Sequence, residues 1–342
     1  MKKAIIFFPA FLFLILVSAA QPFPAEAQDN KAAWEPVQFI PPGLDFVKLA
    51  TEKPYDTFTI GEDTQSFTEK RYVKAFEINR YETTYQLWHN ICIQAELKFG
   101  YEFANAGQEG SKGKIGSSPS EHRQFEPVTN ITWYDAIVWC NAASEIYGYK
   151  PCYTYKGKIL RSSFDTAECD LCTCDFEADG IRLPTETEWE YAARKLDKGF
   201  QDGSLCSGVA VAKFYGLAIT EQVEDNFSWN ANNSDGTREV GTTGTPINSQ
   251  VEPGSGCKNG AGIFDMSGNV LEYCWDWYAD YLPAKPGERS IGPEYGSERI
   301  SRGGSFSIYT MLISCGDRYS YDPNEAYNYM GFRVARTVSS YR

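Results

Sequence analysis

Histidine is scarce in this chain: His89 and His122 are the only two in 342 residues. A metal site built from three histidines is therefore excluded, and both read as surface or structural residues. Runs of lysine or arginine are missing as well, and the formal charge is −13. Nucleic-acid binding rests on neutralising phosphates, so no nucleic-acid partner is expected. There is no Gly-rich phosphate loop and no G-x-S-x-G elbow, which removes two common catalytic readings. After the first twenty residues no segment is apolar enough to span a bilayer.

What is present begins with an export signal. Lys2 and Lys3 precede a mostly apolar stretch from Ala4 to Ala20, and Ala25 and Ala27 fit a small-residue cleavage site before Gln28. Residues 1–27 are expected to be a signal peptide and 28–44 a linker. An N-terminal membrane anchor is the competing reading; the stretch is short for one and Pro9 interrupts it. No cysteine lies there, so a lipid-anchored form is not expected. The mature chain is then expected to be periplasmic, cell-surface or secreted, without a stable membrane span. Ten cysteines in an exported chain suggest disulfides, although spacing alone leaves the pairing open.

Aromatic content of 15%, with 29 Gly and 17 Pro, points to a loop-rich globular protein with short elements. Short strands are expected at Phe46–Leu49, at 55–61 and over 71–81, then a helix near Tyr85–Leu97 capped by Thr83. Thr132 with Asp135 forms a capping pattern before an apolar stripe of Ala136, Ile137, Trp139, Cys140 and Ala143. Pro184, Thr185 and the acidic first turn that follows suit a third helix. Residues 150–180 form a Cys-rich insertion, 196–262 read as mostly loop, and 263–278 and 300–336 read as core strands with connections. Helices beside small twisted sheets, with much irregular loop, make an α+β fold.

Six blocks in order carry a family resemblance: FEINRYETTYQLW from Phe76, PVTNITWYDAIVWCN from Pro127, GIRLPTETEWEYAAR from Gly180, GIFDMSGNVLEYCWDWY from Gly262, RGGSF from Arg302 and GFRVAR from Gly331. Residues 45–338 resemble the formylglycine-generating enzyme, or sulfatase-modifying factor, family. That resemblance implies a C-type-lectin-like fold. In the family's oxidases two cysteines after the Gly-Gly-Ser motif bind copper, since soft thiolates select Cu(I). Counted forward from Gly303-Gly304-Ser305, those positions hold Ile308 and Ile313; counted back from Cys315 they hold Ser305 and Thr310. No catalytic residue can be assigned and no copper is expected. A formylglycine-generating or related oxidase acting on protein cysteine remains the alternative reading. A related branch of the fold uses three histidines for iron, which this chain lacks.

The resemblance also implies a disulfide between Cys140 and Cys315, and a calcium loop. Asp265 and Glu272 would supply side chains, and Gly268 and Val270 backbone oxygens, all hard ligands suited to a structural Ca²⁺. A turn held by hydrogen bonds alone is the plainer reading. Cys152, Cys169, Cys172 and Cys174 read as disulfide partners or as a zinc cluster, with Cys152–Cys174 and Cys206–Cys257 as guesses.

The segment between Gly304 and Gly331 departs most from the catalytic family. Ser307, Ile308, Tyr309, Ser314, Asp317, Tyr319, Tyr321, Asn324, Tyr327 and Asn328 are the candidate ligand contacts. Tyrosine supplies large contact area at low entropic cost, and Ser and Asn supply adaptable hydrogen bonds. Framed by RGGSF and GFRVAR, the segment resembles the variable region of retroelement-diversified lectin-fold proteins. An undiversified binding module fits equally. The expected partner is a protein or surface ligand.

Overall fold

The computed structural model describes residues 44–49, 55–61, 68–214, 220–246 and 251–338. The signal and linker expectations for 1–27 and most of 28–44 lie outside them. Four helices position the molecule's core. Helix α1 runs Tyr85–Phe99, α2 Trp133–Ile146, α3 Thr166–Asp170 and α4 Glu186–Arg194. Thr84, not Thr83, caps α1 by accepting the Leu87 N–H at 3.3 Å. Gly100 closes that helix in the left-handed region at φ 67°, where only glycine is free of a Cβ penalty. The expected capping box of α2 forms in both directions between Thr132 and Asp135. A second one forms between Thr185 and Glu188 at the start of α4.

Two four-stranded sheets carry the fold. In the first, the order is Phe46–Leu49, Phe76–Asn79, Ala335–Thr337, Ile181–Arg182. All its neighbours are antiparallel, so the last described strand sits between segments far earlier in the chain. In the second, the order is Tyr319–Tyr321, Arg299–Arg302, Leu271–Trp277, Met330–Gly331, with the final pair parallel. A smaller three-stranded sheet organises the Cys-rich insertion: Lys158–Ile159, Tyr153–Tyr155, Thr173–Cys174. The stretch expected as one strand over 71–81 is two, Glu69–Val73 and Phe76–Asn79, because the first pairs with Asp56–Ile60 and the second with the central sheet. The 196–262 region is mostly irregular, with short helices at Val209–Phe214 and Glu221–Glu224.

Helix α2 is buried nearly all round, and its neighbours show why. Trp88 and Trp139 stack at 6.1 Å with planes 7° apart, and Phe332 meets both edge-on. Helix α4 is buried despite its charge. Arg182 clasps Glu188 at 2.6 and 2.9 Å, Arg318 clasps Glu186 at 2.6 and 2.9 Å, and Arg302 pairs with Glu190. The acids expected to serve the helix dipole are thus also paired with arginines from three other segments. Burying them would cost several kcal/mol each without those partners, by the order of magnitude for a buried ion.

The two cysteines of the expected family disulfide are both unbridged, and the fold sets them in different surroundings. Cys140 belongs to the α1–α2 core cluster, with Cys152 close enough to act on its thiol. Cys315 belongs to the cluster around α4, where Gln201 Nε2 donates to its Sγ at 3.4 Å. Cys206 Sγ instead lies 3.9 Å from the Thr310 carbonyl.

Candidate functional site

The C-terminal segment begins at a turn that depends on glycine. Gly304 sits at φ 70°, and a Cβ there would strike Ile313 Cγ2 well inside van der Waals contact. Ile313 therefore packs directly over the turn, fully buried. Ser305 and Ser307 share a hydrogen bond at 2.9 Å, and the Ile308 carbonyl accepts the Ala231 N–H at 3.0 Å. A single 3₁₀ turn, Thr310–Leu312, then leads into the edge strand Tyr319–Tyr321. Tyr319 Oη donates back to the Leu312 carbonyl, tying the strand to the turn.

Beyond that strand, three tyrosines gather. Tyr327 and Tyr329 stack at 4.9 Å, and Tyr321 meets Tyr327 edge-on at 5.5 Å. Backbone contacts hold this part on the core: Asn130 N–H donates to the Tyr327 carbonyl at 2.9 Å, and Tyr273 Oη donates to the Glu325 carbonyl at 3.0 Å. The result is a surface of fixed backbone with partly open aromatic side chains.

The structure sorts the ten candidate contacts. Ser307, Tyr309, Asn324 and Asn328 are exposed. Ile308, Asp317, Tyr319, Tyr321 and Tyr327 are half-buried, and Ile308 also packs against two core clusters. Ser314 is buried, and its N–H donates to Asp317 Oδ2 at 2.8 Å, so it builds a turn rather than an open contact. Sequence reasoning missed Met311 and Leu312, which are 81% and 51% exposed beside Tyr309 at 59%. Apolar residues in an expected core region gave no signal of this exposure.

A second cluster surrounds the predicted calcium loop. Asp265 and Asn269 both hold positive φ, at 54° and 58°. Asp265 Oδ2 accepts the Gly241 N–H at 2.5 Å, while Oδ1 is buried with no hydrogen-bond partner. Glu272 receives Arg333 at 2.6 and 2.7 Å and the Trp189 indole N–H at 2.7 Å. Glu82, which sequence reasoning did not single out, accepts Asn269 Nδ2 at 2.6 Å and the Val270 N–H at 3.2 Å. Three buried carboxylates thus face one guanidinium. Burial lifts the Asp265 carboxyl to about 6, with Glu272 adding to the rise. Burial also lifts Glu82 well above the carboxylate range, with Asp265 and then Glu272 contributing.

A cation would offset this surplus of negative charge, and Asp265 Oδ1 is the donor left without a partner. Of the side chains expected to hold calcium, Asp265 keeps one buried oxygen without a hydrogen-bond partner, and Glu272 is already committed to Arg333. Among the described residues no group of three or more His, Cys, Asp or Glu side chains takes a metal-holding arrangement, the Cys-rich insertion included. No helix among them is long and apolar enough to cross a membrane.

The paired sheets, the glycine turn and the irregular segments define a formylglycine-generating-enzyme type of C-type-lectin-like scaffold. The chain belongs to the sulfatase-modifying factor enzyme 1-like family, whose domain profile matches residues 27–338. It is 30% identical over 273 residues to the chaperone protein LppX of Paenibacillus barcinonensis, covering 77% of this chain and 80% of that one. The formylglycine-generating enzyme of Thermomonospora curvata is 32% identical over 231 residues, covering 64% of this chain and 58% of the enzyme. Among solved structures, Treponema denticola variable protein 1 superposes with a TM-score of 0.61 at 28% identity, covering 85% of this chain and 94% of that one.

Proposed function

We propose that this chain is an exported, non-catalytic ligand-binding protein on a formylglycine-generating-enzyme scaffold, with contacts drawn from residues 307–329. The observation that carries this reading is the identity of the side chains where the oxidases keep their thiols. In either register they are Ile308 with Ile313, or Ser305 with Thr310, and none supplies the soft thiolate that selects Cu(I). Cys315, the nearest cysteine, is buried, and burial followed by Glu190 pushes its thiol up to about 12. Such a thiol stays protonated at neutral pH and is a poor nucleophile or ligand.

The exposed Ser307, Tyr309, Asn324 and Asn328, with the half-open Tyr319, Tyr321 and Tyr327, supply the contact chemistry instead. The likeness to a protein titled a variable protein supports a binding role, with a diversified segment as its extension. The likeness to a protein titled a chaperone favours a protein partner. A calcium ion held near Asp265 and Glu82 would supply fixed positive charge that stiffens the loop below the binding segment.

Binding to cell-surface extracts by the full chain, compared with a chain carrying Tyr309→Ala, Tyr319→Ala and Tyr321→Ala, tests the reading. Loss of binding in a folded variant is expected; equal binding by both would remove this face. Incubation with copper, reductant and a cysteine-containing sulfatase peptide tests the oxidase alternative. Aldehyde on the peptide would overturn the non-catalytic assignment.

A further inference from the structure

We propose that Cys152 and Cys174 form a disulfide when the chain meets a thiol–disulfide oxidant, cross-linking two paired strands of the Cys-rich insertion. Cys152 immediately precedes the strand Tyr153–Tyr155, and Cys174 ends the strand that pairs with it, opposite Tyr153. The Asp175 N–H donates to the Cys152 carbonyl at 2.8 Å, which ties the two backbones beside the sulfurs. The two thiols lie near enough to act on one another, each shifting the other's titration.

The neighbouring cysteines are placed differently. Cys169 Sγ lies 3.7 Å from the Ser162 carbonyl, on the short helix α3. Cys140 lies within electrostatic reach of Cys152 but belongs to α2, where it is fully buried. A cavity of about 280 Å³ gives a route to Cys174, lined also by Cys172, Trp275, Trp277 and Arg299, while Cys152 itself is fully buried. Contact with Cys174 first, with Arg182 adding, holds the Cys152 thiol below its ordinary value, which suits it to attack a mixed disulfide formed at Cys174. Burial and then Cys152 raise the Cys174 thiol well above its ordinary value.

The reaction is a thiol–disulfide exchange. Cys152 and Cys174 lose one hydrogen each, the S–S bond forms between them, and the incoming disulfide is reduced to two thiols. Glutathione disulfide supplies the oxidising equivalents in the test. The bond constrains the unfolded chain across residues 152–174.

The full chain is reduced, exchanged into glutathione disulfide, blocked with iodoacetamide and digested without reduction. The expected product is one cross-linked peptide joining Cys152 to Cys174, present in the parent and in the Cys140→Ser and Cys172→Ser chains. Oxidation is also expected to raise Tm by about 5 °C, an effect absent from Cys174→Ser. Recovery of Cys152 alkylated, or linked to Cys140 or Cys172, would overturn the proposal. The mapping needs only the parent chain, so a poorly folding variant does not decide it.

Discussion

Replacing Arg333 by Met removes the guanidinium that three buried carboxylates face. Arg333 is fully buried and makes two short contacts to Glu272, at 2.6 and 2.7 Å. It also donates to the carbonyls of Asn79 at 3.2 Å and Phe264 at 2.9 Å. Methionine fills much of the volume but satisfies none of these groups. Removing one partner of a buried ion pair costs about 3–5 kcal/mol, because the remaining charge keeps its desolvation penalty. Losses at the carbonyls add about 1 kcal/mol more.

The penalty has a pH signature. Arg333 opposes the rise of both Asp265 and Glu82, so its removal lets burial raise them further. An acid whose folded value lies above its unfolded one loses stability as pH climbs between the two, and regains it on acidification. Arg333→Met is therefore expected to be most damaging at pH 7.5 and less so near pH 5. Urea unfolding at both values measures it, and Arg333→Met combined with Glu272→Leu should recover part of the loss. A single variant within about 1 kcal/mol of the parent at pH 7.5 would refute the reasoning, since a surface change does no more than that. A double variant less stable than the single would refute it equally.

Asp265→Asn removes a carboxyl whose folded value, about 6, lies above the 3.8 of the free group. The parent loses stability as pH rises through that window, so in chelator the variant should gain about 2 kcal/mol at pH 8 and unfold with a flatter pH profile. With calcium present the sign reverses if the ion binds: calcium should raise the parent's Tm and leave Asp265→Asn unmoved, and no calcium effect on the parent would remove the cation from the site. Gly304→Ala combines a positive-φ cost with a clash against Ile313, and should destabilise by about 2–4 kcal/mol in urea. Adding Ile313→Ala should relieve the clash but not the backbone cost, and no loss in Gly304→Ala would show that the turn adapts.

Much of the scaffold was legible because it is written locally. The boxes Thr132–Asp135 and Thr185–Glu188 start their helices where the residue types require. The exposed Tyr309 and the half-open Tyr321 were also readable from composition. Ser314 was not, because its turn with Asp317 folds a polar residue inward. Nor were Met311 and Leu312, which are exposed beside the fully buried Ile313.

The sequence by itself determined the absence of the thiol pair, since a missing atom needs no structure to be missing. It also determined the family, through blocks whose order survives in the chain. Tertiary structure decided where charge and sulfur meet. Glu82 reaches Asn269 and Val270 from 187 and 188 residues away, and Arg333 returns to Glu272 across 61. The fold places Cys140 and Cys315 in different core clusters, while strand pairing in the insertion sets Cys174 opposite Tyr153, next in sequence to Cys152. Local patterns fix where helices begin; which distant side chains share a low-dielectric interior is fixed by how the sheets close.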